Sequence, residues 1–265
     1  MDELKQTLSQ RWTQLLNAGD ARSNALPYIR DPTVVICATA IYLVAIKIGT
    51  RVMASREAWN LRRVIIGYNM GCVVLSTWMM WEFFATTFLQ PSFDLLREPF
   101  VEADTSPNTM RLINAHWWYF ASKIVEFADT LFFVLRKKNN QISFLHVYHH
   151  ASMALITWGM VKFVPGACTY MGPLCNCFVH MVMYLYYMLS AFGPHMQPYL
   201  WWKRYLTRMQ LTQFVIVFLY CVHLIQFVQG AAFFFSWLKI VYMITMMILF
   251  GNFYVQAYKK SKKSE

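Results

Sequence analysis

The segment "SFLHVYHHAS" places three histidines, His146, His149 and His150, within five residues. On a helix turning about 100° per residue they occupy one side. Three imidazoles on one face can ligate a single zinc ion. A neutral ring with a free lone pair can instead accept an acyl group and pass it on, splitting one hard step into two. A neighbouring His or Asp would then orient the tautomer and carry protons. An apolar setting suits the second chemistry, because burial disfavours the imidazolium form.

Other ionisable and polar residues recur at helical spacing. In "SKIVEFADTLFF", Lys123, Glu126 and Asp129 fall at i, i+3 and i+6, within an arc of about 120°. Their summed charge of −1 calls for a cationic partner or a buried proton; the alternative is an ion pair that ties helices together. "NCFVHMVMYLYY" sets Asn176 and His180 one turn apart, followed by Tyr184, Tyr186 and Tyr187, and "TRMQLTQ" spaces Thr207, Gln210 and Gln213. His116, His195 and His223 lie outside these stripes and read as structural. Glu82 is unassigned, with Arg62 or another helix as its partner.

The elements that must position these groups are membrane helices. Of 265 residues, 57% are hydrophobic and 14% charged, against about 25% charged in a soluble domain. Apolar runs predict an all-α polytopic membrane protein with seven spans, near 33–50, 64–88, 115–135, 143–163, 170–192, 206–228 and 233–257. Residues 1–32 form a polar N-terminal segment without a cleavable signal, 33–257 one membrane domain, and 258–265 a basic tail. With the amino terminus outside the cytosol, fifteen of the 24 Lys and Arg residues face the cytosol, including Arg136, Lys138 and Lys203. The opposite loop, 89–114, holds Asp94, Glu98, Glu102 and Asp104. Lys262 and Lys263 form a dilysine pattern that predicts the endoplasmic reticulum, with a lumenal amino terminus and a cytosolic carboxyl terminus. The basic loops are expected to meet lipid head groups, and no nucleic-acid partner is expected. Four consecutive spans carry a polar stripe that cannot face lipid, so the stripes are expected to share an interior cavity.

An HxxHH box also occurs in di-iron desaturases, whose histidines spread over several boxes. This chain has seven histidines in all and one such box, which argues against two irons and leaves a single zinc or a nucleophilic histidine. The six cysteines show no ligand-like pairing, and no bound metal or cofactor is expected.

Four motifs together resemble the ELO family of very-long-chain fatty acid elongases. They are Lys123-xx-Glu126-xx-Asp129-Thr130, the box His146-Val147-Tyr148-His149-His150, Asn176-xxx-His180-xx-Met183-Tyr184-x-Tyr186-Tyr187, and Thr207-xx-Gln210-xx-Gln213. The resemblance runs from about residue 28 to 258. It implies seven helices, six of them forming a barrel around an acyl tunnel, and condensation of malonyl-CoA with a long-chain acyl-CoA. By resemblance His149 is the acyl acceptor and His180 faces it, with His146, His150 and Asp129 as catalytic neighbours. Lys123, Glu126, Arg136, Lys138, Gln141, Asn176, Tyr186, Tyr187, Lys203, Thr207 and Gln210 match positions that line the CoA and acyl site. The stretches "QISFLHVYHHASM" and "PYLWWKRYLT" look most like the polyunsaturated-acyl branch. The implied partners are the ketoacyl-CoA reductase, dehydratase and enoyl reductase of the cycle, with a homodimer left open. Segments 89–114 and 229–232 lack the cysteines some relatives carry, so no lumenal disulfide is expected there. A seven-span transporter or receptor is the competing class; obvious paired, Gly/Pro-broken helices are absent.

Overall fold

The computed structural model describes residues 2–91, 93–96 and 104–259. Among these residues every regular element is helical. The order is α1 (Asp2–Asn17), α2 (Ala21–Asn24), α3 (Thr33–Ala54), α4 (Arg62–Thr87), α5 (Pro107–Val125), α6 (Phe127–Leu135), α7 (Phe144–Phe163), α8 (Met171–Ala191), α9 (Lys203–Leu224) and α10 (Gly230–Tyr254). Glu98, Glu102, Lys262 and Lys263, which entered the topology argument, lie outside the described residues.

Local sequence explains where the site-bearing helices start. Ser106 caps α5 by accepting from the Thr109 amide, with Pro107 in the first helical position. Ser143 caps α7 by accepting from the His146 amide at 3.2 Å, so the histidine box begins in the first turn of its helix. The predicted third span is a broken path. α5 ends at Val125, Glu126 forms a tight turn in which the Asp129 amide donates to the Glu126 carbonyl (3.1 Å), and α6 resumes at Phe127.

Among the described residues, five helical stretches are long and apolar enough to cross a membrane: α3, α4, α8, α9 and the continuous run Gly230–Tyr258. The two predicted spans outside this set are α5–α6, which carries Arg111, His116, Lys123, Glu126 and Asp129, and α7, which carries three histidines. Polar groups placed for chemistry lower the apolarity by which a span is recognised.

Packing brings α4 along α8, α9 along α10, α5 along α7, and α3 against α6 and α7. α3 comes so close to α6 that a β-carbon on Gly49 would lie 2.9 Å from Val134 Cγ1. The connections meet in two groups. At one end the Trp59 amide donates to the Leu135 carbonyl (3.0 Å), Lys137 to the carbonyls of Ala54 and Arg56, and Arg62 to that of Phe192. At the other, the Lys162 ammonium donates to the Leu16 and Arg30 carbonyls and to Asn24 Oδ1, and Tyr170 donates to the Leu95 carbonyl. Lys162 thereby clamps the amino-terminal segment against the end of α7. Glu82 pairs with Arg111 of α5 through two contacts, so its partner is another helix and not Arg62.

Candidate functional site

α7 presents its histidines to α6 and α10. His146 Nε2 lies 2.8 Å from the Thr130 hydroxyl, which lies 2.9 Å from Tyr42 OH on α3. Tyr42 is held by stacking on Phe127 at 4.2 Å. The His146 and His150 rings are 4.3 Å apart, and those of His149 and His150 5.7 Å. His149 Nδ1 lies 3.1 Å from Tyr242 OH on α10, and that hydroxyl lies 2.9 Å from Ser152 Oγ.

The break between α5 and α6 supplies a second group. The Lys123 ammonium is 2.7 Å from Glu126 Oε1 and donates to Asn176 Oδ1 at 3.1 Å. Tyr119 donates to the same Asn176 oxygen at 3.0 Å. His180 Nδ1 lies 3.2 Å from Glu126 Oε1. Asp129, one turn further on, accepts from Tyr184 OH at 2.8 Å. Lys123, Glu126, Asn176 and His180 are all buried. Within the trio, Lys123 serves Glu126 while Asp129 takes a phenol as its donor.

The structure therefore brings His146, His149, His150, Lys123, Glu126, Asp129, Asn176 and His180 into the interior between α5, α6, α7, α8 and α10. Other expected positions lie elsewhere. Tyr186 is buried against Leu200 and Leu206, with Trp202 edge-on at 4.9 Å. Tyr187 is 39% exposed. Thr207 is buried, and Gln210 Nε2 lies 3.7 Å from Met183 Sδ. Lys138, Gln141 and Lys203 are exposed and Arg136 half-buried, all near the end where α7 and α9 begin.

One expected convergence fails. Gln213 lines an apolar groove of about 500 Å³ with Trp81, Phe178 and Ile216 among its neighbours, between α4, α8 and α9. Phe178 points away from His180 on α8, about 200° around the helix. Gln213 thus turns from the histidines because its place on α9 faces the α4–α8 seam. His116 bonds the Leu112 carbonyl and the Thr169 hydroxyl, each at 2.9 Å, a structural role as expected.

Tyr42, Tyr119, Ser152 and Tyr242 were missed from sequence. Ser152 sits one turn from His149 and was readable by spacing; Tyr242 lies in the mostly apolar run "LKIVYMITMM", where Lys239 and Thr245 share its helical spacing, a stripe left out of the sequence reading. Among the described residues no three His, Cys, Asp or Glu side chains converge as a metal site. Within the cluster, Lys123, Glu126, Asp129 and Asn176 bond one another or a phenol, His146 and His149 meet hydroxyls, and His180 Nδ1 is buried without a hydrogen bond.

Fold and site together define an all-helical protein of multi-pass membrane type with an interior histidine–carboxylate centre. The profile described as "ELO: GNS1/SUR4 family" matches residues 27–265. The chain is 39% identical to very long chain fatty acid elongase 4 of Homo sapiens over 253 residues, covering 96% of this chain and 79% of that protein. It is 42% identical to very long chain fatty acid elongase 2 of Rattus norvegicus over 222 residues, 84% of this chain and 78% of that one. Elongase 5 of Tachysurus fulvidraco is 38% identical over 260 residues, 98% and 87% of the two chains. The chain belongs to the ELO family.

Proposed function

We propose that this protein is a fatty acid elongase that condenses malonyl-CoA with a long-chain acyl-CoA, releasing carbon dioxide and CoA and yielding a 3-ketoacyl-CoA. His149 accepts the acyl group from the thioester, and a carbon nucleophile formed by decarboxylation of malonyl-CoA then displaces it. The family, whose relatives are named as elongases, supports the reaction class. The observation that carries the site assignment is the clustering of His146, His149 and His150 on α7 in the same interior as the His180–Glu126 contact.

Asn176 holds Lys123, which pairs with Glu126 beside His180. Arg136, Lys138 and Lys203 form a basic rim that concentrates the phosphates of CoA, with Gln141, Tyr186, Tyr187, Thr207 and Gln210 farther along the substrate path. The two groups of connections at opposite ends support seven crossings, six of them around an acyl tunnel, with the basic end cytosolic. The protein then resides in the endoplasmic reticulum membrane and hands its product to the reductase and dehydratase steps. A preference for polyunsaturated chains rests on the stretches "QISFLHVYHHASM" and "PYLWWKRYLT".

The test is intact-mass analysis of purified protein incubated with acyl-CoA alone. Wild type should gain one acyl group, and His149→Ala should gain none while remaining folded and membrane-inserted. An adduct of equal yield on His149→Ala would move the nucleophile, with His180 the first alternative.

A further inference from the structure

The hydrogen bonds behind His149 have a direction. Ser152 Oγ lies 2.6 Å from the Tyr148 carbonyl oxygen and 3.2 Å from that of His149. A carbonyl can only accept, so the single Ser152 proton is committed to the backbone. Ser152 Oγ can then only accept from Tyr242 OH, 2.9 Å away. Tyr242, having given its one proton to Ser152, must in turn accept at the contact with His149 Nδ1, 3.1 Å away. That contact requires the proton on Nδ1. Tyr242 is buried, and no other described group is bonded to its hydroxyl.

We infer that Ser152 and Tyr242 form a one-way relay that locks His149 as the Nδ1–H tautomer, leaving the Nε2 lone pair as the nucleophile. Tyr242 and Ser152 are positioning residues, and the inference rests on the acyl-acceptor reading of His149. In the first step the Nε2 pair forms a bond to the thioester carbonyl carbon and the C–S bond breaks. CoA leaves as a thiolate, and the ring, which keeps its Nδ1 proton, becomes an acylimidazolium. The thiolate charge and the ring charge balance. In the second step malonyl-CoA loses its carboxylate as carbon dioxide. The electron pair left on carbon forms the new C–C bond, and the C–N pair returns to Nε2. The charge lost from the malonyl carboxylate is the charge that left on the thiolate. A ring that keeps Nδ1–H departs as a neutral imidazole, a better leaving group than the anion a neutral acylimidazole would release, and the Tyr242 oxygen sits where the transient positive charge is greatest.

The relay predicts an unusual order of defects. Tyr242→Phe removes the acceptor and frees the ring to take either tautomer, so acylation should slow by roughly a hundredfold at most. Ser152→Ala leaves Tyr242 with a free proton that it can donate to Nδ1, which drives the ring's own proton to Nε2 and blocks attack. Ser152→Ala should therefore be the slower of the two. Adding Tyr242→Phe to Ser152→Ala should restore the rate to that of Tyr242→Phe alone.

Two readouts test this on the full-length protein in detergent. The first is the rate of acyl-adduct formation in the two single variants and the double. The second is the side-chain ¹⁵N spectrum of histidine-labelled protein without substrate, with the His149 signals assigned by their loss in His149→Ala. Wild type should show a protonated Nδ1 and a bare Nε2, and Ser152→Ala the reverse. A protonated Nε2 in wild type, or a Ser152→Ala variant as fast as wild type, overturns the relay. If the ¹⁵N pattern is as expected but no adduct forms on His149, the tautomer lock stands and the acyl-acceptor reading falls.

Discussion

Replacing Lys123 by Met should destabilise the protein more than any other conservative change at the site. Met keeps the apolar stem but removes an ammonium that lies 2.7 Å from Glu126 Oε1 and 3.1 Å from Asn176 Oδ1. Lys123 and Glu126 are 3% and 4% exposed, so water cannot replace the lost partner. Breaking a buried pair from one side costs about 3–5 kcal/mol, because the remaining charge is stranded. Asn176 keeps its bond from Tyr119 at 3.0 Å, so the second lost contact adds about 1 kcal/mol or less. Glu126→Gln retains an oxygen for Lys123, which also keeps Asn176 and the face of Tyr119 at 4.6 Å; its cost should be about 1–2 kcal/mol. The double variant strands no charge and should recover about 2 kcal/mol of the Lys123→Met loss. Unfolding by SDS titration in mixed micelles, followed by tryptophan fluorescence, measures all three. If Lys123→Met falls within about 0.5 kcal/mol of Glu126→Gln, or the double equals the sum of the singles, the pair is not the buried, desolvated contact argued above.

Asp129→Asn keeps an oxygen to accept from Tyr184 but loses the charge, so turnover should fall at least about tenfold with little change in melting temperature. Wild-type turnover measured with labelled malonyl-CoA would make that carboxylate structural. Of four phenylalanines around the connection from α9 to α10, Phe227, Phe233 and Phe234 are 44%, 43% and 61% exposed, while Phe235 is buried and stacks on Phe163 at 6.1 Å. Phe235→Ala should shift products to longer chains by about two carbons, each methylene gaining about 0.8 kcal/mol of burial, and the other three should not; an unchanged product distribution for Phe235→Ala would refute this. Lys162→Met should speed proteolysis between residues 17 and 32, since three acceptors lose their common donor. An unchanged cleavage rate would mean the clamp is redundant.

What was legible in the sequence was chemistry at helical spacing, and what was not was anything that depends on which helix lies opposite. The stripe Lys123, Glu126, Asp129 could be read as one face, and the structure puts all three inside. Its division of labour could not be read, because Asn176 and Tyr184 come from a helix some 50 residues away. Spacing also placed Gln213 with Thr207 and Gln210 on an arc of the same width, yet the last member faces the groove beside α4, because spacing does not say which helix lies opposite. Tyr242 was invisible for a further reason: a phenol in an apolar run looks like a packing residue until its hydroxyl is seen to meet His149.

The break at Glu126 joins the two kinds of information. A continuous helix over 115–135 would have kept its stripe at regular spacing, but it would also have kept the Glu126 carbonyl in the regular helical ladder. The tight turn commits that carbonyl to the Asp129 amide, which draws Asp129 toward Glu126 while their side chains diverge. One carboxylate meets Lys123 and His180, and the other meets Tyr184. Two like charges in a low-dielectric interior repel strongly, and separate donors from α5 and α8 are what allow both to be held within one turn of each other. The irregularity that obscures this span in a hydropathy reading is therefore the same feature that lets the span carry two carboxylates in the interior, one of them beside His180.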